Sequence, residues 1–157
     1  MDIRVEQVPA ERTYPLRNRV LRPYLTLAEM EPQPGELDPG SVHLAALTPD
    51  DEVVGTGVLL REPFARMPER ADAWRLRGMA VDADRRGHGI GAAVLGRMIE
   101  HVAGHGGGLI WCNARVPARS FYQRGGFTAV GAEWEVPHIG PHVTMWRLVD
   151  PERDQSR

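Results

Sequence analysis

The sequence predicts a mixed α/β fold, with a mostly antiparallel central sheet of about six to seven strands and helices on both faces. Three observations carry that prediction. Up to Val81, short apolar runs alternate with turn residues, as strands do. From Ile90 the apolar residues switch to a helical period. After Leu109 short apolar runs return, interrupted once by a helical stretch that a glycine pair stops.

The elements follow in order. Ile3–Val8 (IRVEQV) alternates and reads as a first strand. Pro15–Leu27 carries Leu16, Val20 and Leu21 at helical spacing, and Pro23, which lacks an N–H, is expected to break that helix. Met30–Gly40 (MEPQPGELDPG) reads as a Pro/Gly-rich loop. Val42–Leu47 and Val53–Leu60 flank Thr-Pro-Asp-Asp-Glu, the pattern of a hairpin with an acidic turn at its tip. A polar connection, Arg61–Asp72, leads to a strand at Trp74–Val81 (WRLRGMAV). Ile90, Val94, Leu95, Met98, Ile99 and Val102 share one helix face, and Gly104–Gly108 ends that helix. Leu109–Cys112 is a short apolar strand, Pro117–Arg124 a short helix stopped by Gly125-Gly126, and Phe127–Val130 and His142–Val149 the closing strands. No repeat is visible, and residues 1–150 are expected to form a single domain followed by a polar tail, 151–157.

Composition narrows the function. A chain of 157 residues with 42% hydrophobic and 25% charged residues is an ordinary globular protein. Its net charge of -2 argues against a nucleic-acid partner. No apolar run approaches a membrane span and no signal-peptide pattern opens the chain. With a single cysteine, Cys112, these features predict a cytoplasmic setting without a disulfide framework. Cys112 itself is expected to be an inert core residue. All 19 Lys+Arg residues are arginine, so Schiff-base chemistry is excluded, and arginine cannot act as a general base near neutral pH.

The stretch Arg85-Arg86-Gly87-His88-Gly89-Ile90-Gly91-Ala92 stands between a strand and a helix. A Walker-type phosphate loop needs a lysine that is absent. Gly87, Gly89 and Ala92 satisfy the dinucleotide pattern GxGxxG/A, but the next strand ends in Ile110-Trp111-Cys112-Asn113 without the acidic residue that binds a ribose. A plain turn would seldom need three alternating glycines beside two arginines. What remains is a loop whose backbone N–H groups converge on a pyrophosphate at a helix N-terminus, with Arg85 or Arg86 adding charge-assisted hydrogen bonds.

Here the sequence resembles a known family. Arg86-Gly87-His88-Gly89-Ile90-Gly91 is similar to the R-x-x-G-x-G/A signature of the GNAT N-acetyltransferases, and Met79-Ala80-Val81-Asp82 resembles the strand before it. Ala118-Arg119-Ser120-Phe121-Tyr122-Gln123-Arg124-Gly125-Gly126-Phe127 resembles the family's A-x-x-x-Y-x-x-x-G-F segment. The resemblance is specific from Trp74 to Val130 and looser over the rest. It implies the GNAT acyltransferase fold and acetyl-CoA as co-substrate, with no metal. It further implies that Arg86, Gly87, His88, Gly89, Ile90, Gly91 and Ala92 grip the pyrophosphate and that Met79, Ala80 and Val81 pair with the pantetheine arm. The family often has an asparagine three residues before Ala118; this chain has Arg115 there and Asn113 two residues earlier, so either one is the expected cofactor contact near Ala118. The implied partners are acetyl-CoA, a small amine and a second copy of the chain in a homodimer.

Direct acyl transfer requires a proton source for the leaving thiolate, and the resemblance assigns this to Tyr122. An ordinary phenol and thiol differ by about 1.5 pKa units, about 2 kcal/mol, so donation needs no extreme tuning. The backbone N–H of Met79 or a neighbour is the expected donor to the thioester oxygen. Glu135, His138 and His142 are the proton acceptors considered for the amine, in a segment expected to be a loop, with Glu62 a weaker one. Arg17, Arg19 and Arg22 are read either as a site for an acidic acceptor or as a solvated helix face. The pairs His101/His105 and His138/His142 have metal-like spacing but lack a third ligand. Trp74, Trp111, Trp134 and Trp146 read as core or sheet-edge aromatics, with Trp134 also a candidate wall of the acceptor pocket. The rival reading from another class is a catalytically silent acyl-CoA-binding or sensing module.

Overall fold

The structure, a computed structural model, describes residues 2–155. Met1 and the last two residues of the expected tail, Ser156 and Arg157, lie outside the described residues. Seven strands, β1 (Arg4–Gln7), β2 (Val42–Leu47), β3 (Val53–Arg61), β4 (Ala73–Val81), β5 (Gly108–Arg115), β6 (Thr128–Val136) and β7 (Gly140–Val149), hydrogen-bond in the order β1-β2-β3-β4-β5-β7-β6. The helices are α1 (Tyr14–Leu21), α2 (Ile90–Gly104) and α3 (Arg119–Arg124). The sheet is mixed: β4 and β5 run parallel, whereas β1/β2, β2/β3, β5/β7 and β6/β7 are antiparallel. This is the mixed sheet with helices that the sequence predicts.

By its internal contacts the chain forms two compact units. The first comprises the chain through Leu60 together with Gly78–Met98. Its core rests on close approach of α2 to β3, which the glycines of the Gly55-Thr56-Gly57 stretch permit. A Cβ at Gly55 would stand 2.7 Å from Ile90 Cγ2, and one at Gly57 2.8 Å from Met98 Sδ. Ile90, Val94 and Met98 are buried as a result, so the helical period read from the sequence marks the face that meets β3. The predicted helix at Pro15–Leu27 ends earlier, at Leu21. Arg22 leaves helical geometry immediately before Pro23, because a residue preceding proline is sterically driven out of the α region.

The second unit comprises Arg61–Arg77 and the chain from Ile99 onward. Phe64, Ala73, Leu109 and Trp111 form a buried cluster joined by Met67, Val130 and Trp146. Phe64 stacks on Trp111 with centroids 5.4 Å apart. The parallel register pairs Ala73 with Leu109, Trp74 with Ile110 and Arg75 with Trp111. The start of the tail is tied to β7, since Arg147 Nη2 and an Asp154 carboxylate oxygen lie 2.9 Å apart.

One expectation is corrected here. The stretch between the two closing strands, expected to be a loop from 131 to 141, is the turn of a β-hairpin in which β6 runs to Val136 and β7 starts at Gly140. The β6/β7 register shifts between Val130 and Trp134, and Gly131 adopts φ +81° within that shift. A bulge of this kind interrupts the period-2 pattern by which a strand is recognised in sequence.

Candidate functional site

In the first unit, β4 does not run straight into the glycine loop. Gly78 sits at φ +59°, an isolated glycine inside a strand that signals a bulge. Its carbonyl accepts a hydrogen bond from Thr56 Oγ1 at 2.8 Å. Met79, Ala80 and Val81 follow, with Ala80 buried and its neighbours half-buried. A 3-10 turn, Ala83–Arg85, is capped by the Asp82 side chain and leads into the loop.

Arg86, Gly87, His88 and Gly89 are all exposed. Gly87 and Gly89 adopt φ +82° and +76° with open space where a Cβ would stand, so backbone conformation alone calls for glycine there. The first turn of α2 closes with Ala93 N–H donating to Gly89 O. The N–H groups of Ile90, Gly91 and Ala92 therefore lack an intrahelical acceptor, and the positive end of a fifteen-residue helix faces the loop. The two arginines have separate roles. Arg85 pairs with Glu52 at 3.3 Å, whereas Arg86 makes no ion pair among the described residues and stays available to an anion.

In the second unit, strand pairing sorts the remaining residues by face. Asn113 lies opposite Thr144, which in turn faces Val130; Arg115 lies opposite His142, which faces Trp134. Directly opposed residues project to one side of a sheet, so Asn113, Arg115, His142 and Trp134 share a face. The Trp134 and His142 rings are 5.8 Å apart. The Asn113 amide oxygen accepts from Thr144 Oγ1 at 3.1 Å. His142 Nδ1 lies 3.0 Å from Gly140 O, so Nδ1–H donates to that carbonyl and Nε2 is turned away from it. Glu135, one residue from Trp134 and opposite Pro141, projects to the other side, and His138 occupies the exposed hairpin turn at φ +68°. The three proposed proton acceptors therefore do not converge.

Tyr122 lies near enough to both Cys112 and Arg115 to feel their charges. It is buried, with ring centroids 5.1 Å from Phe121 and 5.5 Å from Phe127. The first turn of its segment is the 3-10 turn Val116–Ala118, which carries Ala118 into α3. Burial raises the phenol pKa well above 10, the Cys112 thiol adding to the rise and Arg115 opposing it. The gap of about 1.5 units taken from free phenol and thiol is thus corrected: Tyr122 holds its proton far more tightly than an exposed tyrosine. Cys112 is likewise pushed up to about 12 by burial, against the lowering influence of Arg75, which makes it a poor nucleophile.

The remaining candidates make the following contacts. Arg17 is not free for an acidic acceptor, because Glu36 grips it. Arg19 lies 3.3 Å from Asp82, and Arg22 donates to the Tyr24 hydroxyl at 3.3 Å. Glu62 pairs with Arg75 at 3.0 Å. His101 and His105 stack at 4.2 Å beside Trp74, and no group of three or more His, Cys, Asp or Glu among the described residues could hold a metal ion. Sequence reasoning missed the buried cluster of Arg17, Glu36, His43 and Thr13; the only sequence signal near it was the solitary Gly78 within an apolar strand.

The mixed seven-stranded sheet is the fold of solved acyl-CoA acyltransferases. The chain matches the acetyltransferase (GNAT) family over residues 8–127 and belongs to that family. It is 27% identical over 151 residues to the uncharacterized N-acetyltransferase YitI of Bacillus subtilis (strain 168), covering 96% of this chain and 99% of that protein. Escherichia coli ElaA superimposes with a TM-score of 0.74 at 18% identity, covering 93% of this chain and 99% of that one. A GNAT superfamily phosphinothricin acetyltransferase from Sinorhizobium meliloti, solved in complex with AcCoA, gives a TM-score of 0.72 at 15% identity, covering 99% of this chain and 93% of that one.

Proposed function

We propose that residues 1–150 act as one acetyl-CoA-dependent N-acetyltransferase domain, moving an acetyl group to a primary amine by direct transfer in a ternary complex. The observation that carries this reading is the loop Arg86–Gly89: two left-handed glycines, an arginine without an ion pair among the described residues, and N–H groups without an intrahelical acceptor at the start of α2. That arrangement suits a pyrophosphate. The acetyl-CoA bound to the phosphinothricin acetyltransferase supports the choice of donor.

In this reading Arg86, Gly87, His88, Gly89, Ile90, Gly91 and Ala92 hold the pyrophosphate, and Met79, Ala80 and Val81 pair with the pantetheine arm. Asn113, Arg115 and Ala118 contribute further cofactor contacts. The Met79 N–H polarises the thioester carbonyl as negative charge develops on its oxygen. The neutral amine attacks that carbonyl, the C–S bond breaks, the thiolate takes the phenolic proton of Tyr122, and the proton that the nitrogen loses on becoming an amide restores the phenol. Of the three proton acceptors, His142 is the best placed, because its Nδ1–H is engaged by Gly140 O and its Nε2, turned away from that carbonyl, takes the proton that the substrate ammonium gives up before the neutral amine attacks. Trp134 beside it offers an aromatic face to an amine cation.

A thermal-shift series with acetyl-CoA, CoA, NAD and ATP tests the donor, since a ligand of the native state raises its melting temperature. Stabilisation by acetyl-CoA and CoA is expected, and stabilisation by NAD or ATP alone would overturn the reading. Thiol release measured across a panel of small amines tests the transfer. CoA binding without thiol release from any amine would point instead to a silent acyl-CoA-binding module.

A further inference from the structure

The first unit buries an ion pair that the proposed chemistry does not use. Arg17, in the middle of α1, places Nη1 and Nη2 on the two carboxylate oxygens of Glu36, the second contact at 3.2 Å. Nη1 also donates to Thr13 Oγ1 at 3.1 Å. Glu36 in turn accepts the Gln33 backbone N–H at 2.7 Å and lies 3.2 Å from His43 Nε2. Thr13, Arg17, Glu36 and His43 are all buried, Glu36 with only 1% of its surface exposed.

The stability gained from such a pair does not explain its presence. Two charges removed from water regain little more than apolar side chains of the same volume would. What the pair provides is a rigid, planar group at a fixed place, and that place is Gly78. A Cβ on Gly78 would stand 2.9 Å from Arg17 Nε and 3.2 Å from its Cζ, so the guanidinium lies directly on the glycine Cα. Val58 Cγ2, at 3.1 Å from the same point, closes the other flank. Thr56 Oγ1 meanwhile holds the Gly78 carbonyl at 2.8 Å. In a trans peptide the C=O and the following N–H point in opposite directions. Fixing the Gly78 carbonyl against Thr56 therefore fixes the Met79 N–H on the opposite side, and the left-handed φ of +59° is what turns that peptide.

Resting on the acetyl-CoA reading above, we infer that Arg17, clamped by Glu36, and Thr56 are positioning residues for acyl transfer: together they hold the Gly78–Met79 peptide so that the Met79 N–H meets the thioester oxygen. Neither residue touches the acetyl group. A misplaced oxyanion donor costs turnover without weakening the cofactor contacts made by the glycine loop, so the inference separates turnover from binding.

The test follows the carbonyl stretch of acetyl-CoA, isotopically labelled at the acetyl carbon, by difference infrared spectroscopy on the bound complex. Calorimetry with CoA runs in parallel. In the native chain the band is expected to move to lower frequency on binding. Arg17→Met alone would strand a buried carboxylate, so the variant used is the double R17M/E36L, in which neither charge remains to be buried. Thr56→Val removes the hydroxyl that holds the carbonyl, and Thr56→Ser restores it. Expected are loss of the frequency shift and a fall in thiol release of about a hundredfold in R17M/E36L and T56V, with CoA affinity unchanged and T56S like the native chain. A native-like band in both R17M/E36L and T56V would overturn the inference, as would loss of CoA binding in these variants alone. Failure of the native chain to bind CoA would overturn the acetyl-CoA reading first and the positioning role with it.

Discussion

Replacing Glu36 with glutamine gives a change whose size follows from the structure. Burial by itself would raise the Glu36 carboxyl pKa, but hydrogen bonds from His43, Arg17 and the Gln33 N–H, with the Arg17 charge, outweigh it and hold the value at about 2 against 4.5. Between these two values the unfolded chain binds a proton that the native chain refuses, so stability falls as pH falls through that window. The difference corresponds to about 3 kcal/mol, fully present above pH 4.5 and gone below about pH 2. Loss of one partner from a buried pair costs a similar amount, about 3–5 kcal/mol. Urea unfolding of the native chain and E36Q at a series of pH values between 7 and 2 is the assay. The native chain is expected to exceed the variant by about 3 kcal/mol at neutral pH, with the curves converging as pH falls toward 2 and the Glu36 carboxyl takes up its proton. Parallel pH curves for the two proteins, or a neutral-pH difference below about 0.5 kcal/mol, would refute the assignment of Glu36 as a buried, charged partner of Arg17.

Further expectations concern the site and the core. Arg86→Ala is expected to weaken CoA binding about tenfold by calorimetry, and to flatten its salt dependence, because one charge-assisted hydrogen bond is lost. Tyr122→Phe is expected to abolish most thiol release while CoA affinity holds. Because burial raises the Tyr122 pKa well above 10, the native pH–rate profile is expected to lack an alkaline fall near pH 10 from this group. His142→Gln is expected to lower turnover without changing CoA affinity, whereas Glu135→Gln, on the opposite side of β6, leaves turnover near native. Gly57→Ala drives a methyl to 2.8 Å from Met98 Sδ and 2.9 Å from Val94 Cγ1, and is expected to cost about 1–3 kcal/mol in urea unfolding.

Much of the fold was legible because its signals are local. Ile90, Val94 and Met98 keep a helical period, and Gly125-Gly126 stops a helix wherever it stands. The glycine loop was legible for the same reason, since its conformation depends on residues within a few positions of one another. The two closing strands were read too, but not the run of β6 past Val130 to Val136, because the shift between Val130 and Trp134 removes the alternation that identifies a strand.

The sequence by itself determined the family, the glycine loop and the type of group available at Tyr122, each carried by a contiguous motif. Only the tertiary structure decided how those groups are charged and aimed. It separated Arg85, tied to Glu52, from Arg86, and turned His142 and Glu135 to opposite sides of the sheet. It buried Tyr122 against Phe121 and Phe127, and it set Glu36 and His43 against Arg17, and Arg17 against Gly78, from positions far apart in the chain. Ionisation and hydrogen-bond direction depend on desolvation and on partners that folding brings together, and no local pattern of residues encodes either.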